Sequence, residues 1–277
     1  MEENRSSETS DWNRFERRIT ELRKEYGGKS SSPLLFRGQG SSAWPLTTTL
    51  ERSGQNRMLF REFYELITAR IGPAVETFTG VSVPEYDPKY AMTLIDPELL
   101  LPGIGQFPPQ ALYRYMVYLR HHGFPSPLLD WSYSPYVAAF FAFRGSPING
   151  PEKRSIYVYC ESPRGVKGGA VGEPTIRRIG PYVRSHRRHF RQQSDYTICG
   201  SLDLDYGWRF DSHQYVFDNR RPKQDFLWKI DISSAERVDV LRVLNDYNLN
   251  AFSLFDSEEA LLETMWVKEH VLRNAPL

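Results

Sequence analysis

The sequence predicts an α+β protein in which short strands sit among amphipathic helices. Three features predict it: apolar residues recur at helical spacing in several stretches, short apolar runs read as buried strands, and the two do not alternate in the regular way that builds a parallel βαβ sheet. The 277 residues are 40% hydrophobic and 25% charged, a balance that can bury a full core. No internal repeat is present.

The first ten residues are polar and are expected to be disordered. Trp12, Phe15, Ile19, Leu22 and Tyr26 then recur every three or four residues. That spacing predicts a helix over 11–26, with Ser10 as its N-cap and Gly27-Gly28 as its stop. Residues 34–36 read as a short strand. Residues 57–71 read as a second helix, with Leu59, Phe60, Phe63, Leu66 and Ile67 on one broad face. Seven prolines fall between Pro73 and Pro109. Proline at that density breaks regular structure, so 72–109 is expected to be a surface excursion with one short helix at most. Residues 110–122 read as a helix with Leu112, Tyr115, Met116 and Leu119 inward. Another over 133–143 opens at Ser134-Pro135, a good N-cap followed by a residue suited to the first turn. Residues 156–160 and 197–199 read as strands, and 234–248 and 257–272 as two C-terminal amphipathic helices. The expected organisation is a polar tail and helix over 1–32, then one globular domain over 33–277.

Composition excludes several classes. Lys and Arg total 35 against 34 Asp and Glu, a formal charge of +1, which argues against a dedicated duplex-binding protein. Cys160 and Cys199 have neither disulfide-scaffold nor metal-site spacing. They fit a reducing compartment, so a cytoplasmic protein without a metal is expected. No apolar run reaches bilayer-spanning length, and the first residues lack the pattern of a signal peptide, so no membrane association is expected. Nucleophile-elbow, Walker, GxGxxG and HExxH motifs are all absent.

Three segments carry candidate chemistry. In Phe36-Arg37-Gly38-Gln39 an arginine follows an apolar strand and precedes a glycine. The strand fixes the arginine backbone, and the glycine lets another backbone or a ligand approach. A guanidinium so placed suits a diphosphate or carboxylate, with an ordinary surface ion pair as the competing reading. The second segment, 120–135, packs two histidines, three prolines, Asp130, Trp131, Ser132 and Ser134 between two helices and reads as a tight loop. The third, 184–197, holds four arginines and two histidines within eight residues, with Arg177 and Arg178 just upstream. It suits a phosphate-bearing or acidic partner, or else is a solvated face offset by Asp203, Asp205 and Asp211.

Together these segments resemble the FRG family. Phe36-Arg37-Gly38 matches its opening motif. His121-His122-Gly123, Pro125, Leu128-Leu129-Asp130-Trp131, Ser134-Pro135 and Phe140-Phe141-Ala142 match its central one. Arg188, Gln192, Ser194 and Tyr196 match the third, and Leu254-Phe255 the closing pair. The chain departs from the family at Ser126-Pro127, where the pattern has Thr-Arg, and at Ser132, where it has Thr. The motif order is in turn similar to that of ADP-ribosyltransferases, which implies mixed or antiparallel sheets with flanking helices and NAD as substrate. By that resemblance Arg37 holds the NAD phosphates or nicotinamide ribose, and Ser132 or Ser134 supports the nicotinamide site. Gln192 falls near the position of the catalytic glutamate. Phe36, Gly38, His122 and Trp131 would complete the NAD site with Asp130 and Arg188. Because Gln192 carries no charge, an acid such as Asp195, Asp130 or Glu161 would have to serve in its place. The implied role is an ADP-ribosyl transfer toxin or phage-defence effector, with a protein or RNA acceptor and an antitoxin partner. The alternative is a non-catalytic module that binds a nucleotide or a partner protein.

Overall fold

The computed structural model describes residues 10–27, 32–55, 57–94, 108–145, 152–163, 172–181, 187–219 and 225–273, with isolated positions between them. The expected polar tail over 1–9 lies outside these residues, as do Gly28, residues 95–107 of the proline-rich stretch, and residues 184–186 of the basic segment.

Among the described residues seven strands form one sheet: β1 (Leu35–Gln39), β2 (Leu128–Ser132), β3 (Lys153–Cys160), β4 (Thr175–Arg178), β5 (Ser194–Asp203), β6 (Gly207–Phe210) and β7 (Phe226–Ser233). Their order is β4-β5-β2-β1-β3-β7, with β6 also paired to β5. Every pairing is antiparallel, so the fold is α+β. The sheet has two halves. β1 pairs with β3 at five positions, and β2 with β5 at five. β1 and β2 meet at only one, Phe36 with Ser132. Beyond that pair they diverge, and a cavity opens where they part.

Helices cover the sheet. α1 (Asp11–Tyr26) is capped by Ser10, whose Oγ accepts from Asn13 N at 3.2 Å. It buries Trp12, Phe15, Ile19 and Leu22, the face its spacing predicts. Two short helices follow β1: α2 (Thr49–Arg52) and α3 (Phe60–Glu65), the latter continued by a π-helical turn over Leu66–Arg70. The expected helix over 57–71 is therefore shorter and changes winding midway. Phe60 and Phe63 meet Phe210 of β6 edge-on, at 5.8 and 5.4 Å between ring centres.

The proline-rich stretch is more ordered than expected. It carries α4 (Gly72–Thr79) and α5 (Pro88–Thr93). Pro73 and Pro88 sit in the first turns of these helices, where a missing N–H costs nothing, so here proline starts helices rather than breaking them. Next come α6 (Gln110–His121) and α7 (Pro135–Phe143), with Ser134 Oγ accepting from Val137 N at 3.3 Å at the start of α7. Residues 128–132, expected within a tight loop, form β2 instead. Alternation explains it: Leu129 and Trp131 pack on one face of the sheet and Leu128 on the other.

The remaining helices are α8 (Arg187–Arg191), α9 (His213–Asp218), α10 (Arg237–Asp246), α11 (Ala251–Phe255) and α12 (Glu258–Trp266), which winds on as a π-helical stretch over Val267–Leu272. Among the described residues no helix is long and apolar enough to cross a membrane.

α7 is the central helix. Val137, Ala138, Ala139, Phe140, Ala142 and Phe143 are all buried, against α1, α10 and the β1-β3 half of the sheet. Two arginines secure its C-terminus. Arg154 Nη1 donates to Ala142 O, and Arg237 Nε donates to Phe143 O and Gly145 O at 3.0 Å. Both side chains are almost fully buried, and both bind carbonyls that the helix leaves open.

Gly38 fixes how closely β1 lies on α7. A Cβ at this position would sit 1.8 Å from Ala138 O and 2.7 Å from Ala142 N. The glycine of the Phe-Arg-Gly tripeptide thus admits helix backbone. Gly38→Ala is expected to destabilise the fold by at least about 2 kcal/mol, because neither backbone atom can move away cheaply. Urea unfolding of the variant against the parent checks this.

Candidate functional site

A cavity of about 620 Å³ opens where β1 and β2 diverge. Arg37 holds the gap open. Its Nη1 donates to the backbone carbonyl of Asp130 at 2.8 Å and to Asp130 Oδ2 at 3.3 Å. The guanidinium so replaces, for one strand carbonyl, the ladder bond that the divergence removes. Asp130 is also bound from the other side. Arg120, in the last turn of α6, donates from Nε to Asp130 Oδ1 and from Nη1 to Thr49 Oγ1 at 3.1 Å. Thr49 Oγ1 in turn accepts from Ser126 N at 2.8 Å. One carboxylate and one hydroxyl thereby join β1, β2, α2 and α6.

The electrostatics follow from this arrangement. Burial alone would raise the Asp130 pKa, but Arg120 and then Arg37 outweigh it and hold the group well below the usual carboxylate range. Burial pulls the Arg37 pKa down, opposed by Asp130. The Asp130 side chain remains 42% exposed, so solvent or a ligand still reaches it. Arg37 and Arg52 line the cavity with Asp130 as the one carboxylate, which leaves the lining net positive. Two polar atoms of lining residues, Arg37 Nε and Gln39 Oε1, are buried without a hydrogen-bond partner. Aromatic walls come from Phe36, Trp44, Trp131 and Phe141.

Beneath the cavity Trp131 Nε1 donates to Thr197 Oγ1 at 2.8 Å, and Thr197 Oγ1 lies 3.0 Å from His213 Nε2. Burial, then the charges of Arg37 and Lys167, pull the His213 pKa down to about 3. A neutral His213 bonds the Thr197 hydroxyl at Nε2 as donor or acceptor, according to its tautomer.

The structure brings together Phe36, Arg37, Gly38, Asp130, Trp131, Ser132 and Gln192 around this one cavity. Ser132 and Gln192 are nonetheless engaged in support. Ser132 Oγ donates to Gln192 O at 2.7 Å and accepts from Ser134 N at 3.0 Å. Gln192 Nε2 donates to Leu254 O at 3.2 Å. Gln192 sits in the turn between α8 and β5, not on the late strand itself.

Four expected site residues lie elsewhere. Asp195 is fully buried off the cavity lining, where its Oδ2 accepts from Tyr133 Oη and Arg178 Nε, both at 2.6 Å. Arg178 of β4, on the side of β5 away from β2, takes up its carboxylate. Ser134 caps α7. Arg188 donates to Phe255 O at 3.3 Å and lies over the Phe255 ring. His122 ends α6 and lines a different cavity. Glu161, named as a spare acid, accepts from Arg178 N at 3.0 Å and does not line the cavity.

Among the described residues, the arginines of the basic segment that form ion pairs do so with acids other than those the sequence suggested. Arg187 and Arg191 pair with Asp256, and Arg178 with Asp195. Asp203 and Asp211 pair instead with Arg209. Among the described residues no three His, Cys, Asp or Glu side chains gather as a metal site. Trp44, Arg52 and Phe141 were missed as site residues. Trp44 carried a signal: a tryptophan after Gly40-Ser41-Ser42-Ala43 has no helix or strand to bury it, and it is 59% exposed.

The family model of the FRG domain matches residues 32–149. That span includes Arg37, Asp130 and Ser132, and it ends before Arg188, Gln192 and Leu254-Phe255. No solved structure and no curated protein matches the chain.

Asp130 is expected to titrate with stability. Its depressed pKa contributes stability that is complete above the unfolded value of about 4 and is lost as pH falls through the folded value. Denaturant unfolding from pH 7 to pH 3 checks it: Asp130→Asn is less stable than the parent at neutral pH, and the gap narrows in acid.

Proposed function

From the FRG domain that the chain carries over residues 32–149, we propose that the β1-β2 cavity binds a nucleotide bearing a diphosphate, with NAD the ligand that the motif order implies. One observation carries the reading: Arg37 presents a guanidinium into a net-positive, aromatic-walled cavity, with buried donor capacity left over. The fork of an arginine matches phosphate oxygens, and Arg52 adds a second positive charge at the wall. Trp44 and Phe141 offer ring faces for a base or a nicotinamide. The volume of about 620 Å³ lies within the range of small-ligand sites.

ADP-ribosyl transfer is a second reading, favoured by Asp130. It is a carboxylate on the cavity wall that stays ionised, and a carboxylate beside the ribose stabilises the oxocarbenium-like state left as nicotinamide departs. Two features weigh against it. Both Asp130 oxygens are held by arginines, which spends their charge, and Gln192 supplies none. Binding without transfer is therefore the better-supported reading. A toxin or phage-defence role, with a protein or RNA acceptor and an antitoxin partner, follows only if transfer occurs.

Titration calorimetry with NAD tests the binding proposal. NAD is expected to bind, and Arg37→Ala to weaken it by about tenfold or more, as befits a charged hydrogen-bond pair. No heat of binding with a folded sample rejects the proposal. Adding labelled NAD and cell extract separates the two readings. Nicotinamide release with label in protein or RNA selects transfer, and intact NAD selects binding alone.

A further inference from the structure

A second cavity of about 400 Å³ lies between residues 81–84 and one side of α6, and it shares no lining residue with the first. Tyr115, Tyr118 and His122 follow one another at three- and four-residue spacing, which aligns them along one face of the helix. The Tyr115 and Tyr118 rings lie 6.3 Å apart and 14° from parallel. The Tyr118 and His122 rings lie 4.4 Å apart. An aromatic row on a helix ordinarily belongs to a core. This row runs from the core out to the surface: Tyr115 is buried in the core, Tyr118 packs against it but is only half-buried, and His122 is exposed.

Two further groups mark the place as a site. Tyr115 is 3% exposed, and its hydroxyl is buried with no hydrogen-bond partner. An unsatisfied buried hydroxyl is costly, and an acceptor from a ligand would relieve it. Arg114 also lines the cavity and is exposed, with no hydrogen bond or ion pair among the described residues. Glu76 on α4 is the carboxylate whose field reaches Tyr115. His121 is already engaged, its Nε2 lying 3.0 Å from Tyr196 Oη.

We infer that this second cavity binds a nucleobase carrying a phosphate. The base stacks on Tyr118 and His122, since every base has a π-face. A carbonyl or ring nitrogen of the base accepts from the Tyr115 hydroxyl. The phosphate meets the Arg114 fork. This site stands apart from the β1-β2 cavity and does not depend on NAD binding there. A free nucleotide and a residue of single-stranded RNA present the same chemistry.

Titrate the full chain with AMP, UMP and the matching nucleosides, and separately with a labelled single-stranded RNA hexamer followed by fluorescence anisotropy. Tyr118→Ala is expected to weaken binding by about tenfold, and Tyr118→Phe to preserve it. Arg114→Glu weakens the monophosphates and leaves the nucleosides unchanged. Arg37→Ala leaves all of these titrations unchanged, which separates this site from the first cavity. Should Tyr118→Ala fold poorly, His122→Ala at an exposed position gives the same reading. Tighter binding of the hexamer than of the monophosphates identifies RNA as the source, and equal binding identifies free nucleotides. The inference is overturned if neither probe binds. It is equally overturned if binding survives Tyr118→Ala or His122→Ala in a folded sample, or is lost on Arg37→Ala alone.

Discussion

Asp130 accepts from two arginines that reach it from different parts of the chain, Arg37 from β1 and Arg120 from the end of α6. The sheet could not divide as it does without some such bridge. Where β1 leaves β2, strand carbonyls lose their partners, and a buried carbonyl without one is expensive. Arg37 supplies the missing donor at Asp130 O and in the same stroke anchors itself to the Asp130 carboxylate. Arg120 carries the connection on to Thr49, and Thr49 to Ser126. The cavity is therefore a gap braced open by charge. An apolar side chain at position 37 could not brace it, because it would satisfy neither the carbonyl nor the carboxylate.

A second constraint works from behind. β1 can reach its place only because Gly38 lets the α7 backbone close on it. α7 is held in turn by Arg154 and Arg237 at its last carbonyls. The Phe-Arg-Gly tripeptide thus combines three physical roles in consecutive residues. Phe36 supplies core and the single ladder pair with β2, Arg37 the brace, and Gly38 the close approach.

Much of this was legible in the sequence, and the failures have physical causes. α1, α6 and α7 were readable because their apolar periodicity is strong and their N-terminal signals, Ser10 and Ser134-Pro135, are local. β2 was hidden because glycine and three prolines around it speak for a loop, while the alternation of Leu128 to Ser132 is only five residues long. β7 carries Phe226, Trp228 and Ile230 at alternate positions, but Leu227 between the first two breaks the apolar-polar pattern that marks a half-buried strand. Arg37 and Asp130 stood out as chemistry-bearing residues. That they bind each other across 93 positions is a long-range fact no local pattern contains. Asp195 has site-like neighbours in sequence, but Tyr133 and Arg178 hold its carboxylate off the cavity.

The functional reading rests on the brace being an electrostatic unit at the cavity lining, with the Arg37 Nε buried and unpartnered. A double-mutant cycle measures that unit directly. Unfolding free energies of the parent, Arg37→Gln, Asp130→Asn and the pair together give the coupling between the two side chains. The account predicts a coupling of at least about 1 kcal/mol, with the double variant less damaged than the sum of the singles. Strictly additive losses would contradict it, because Arg37 and Asp130 would then support the cavity independently.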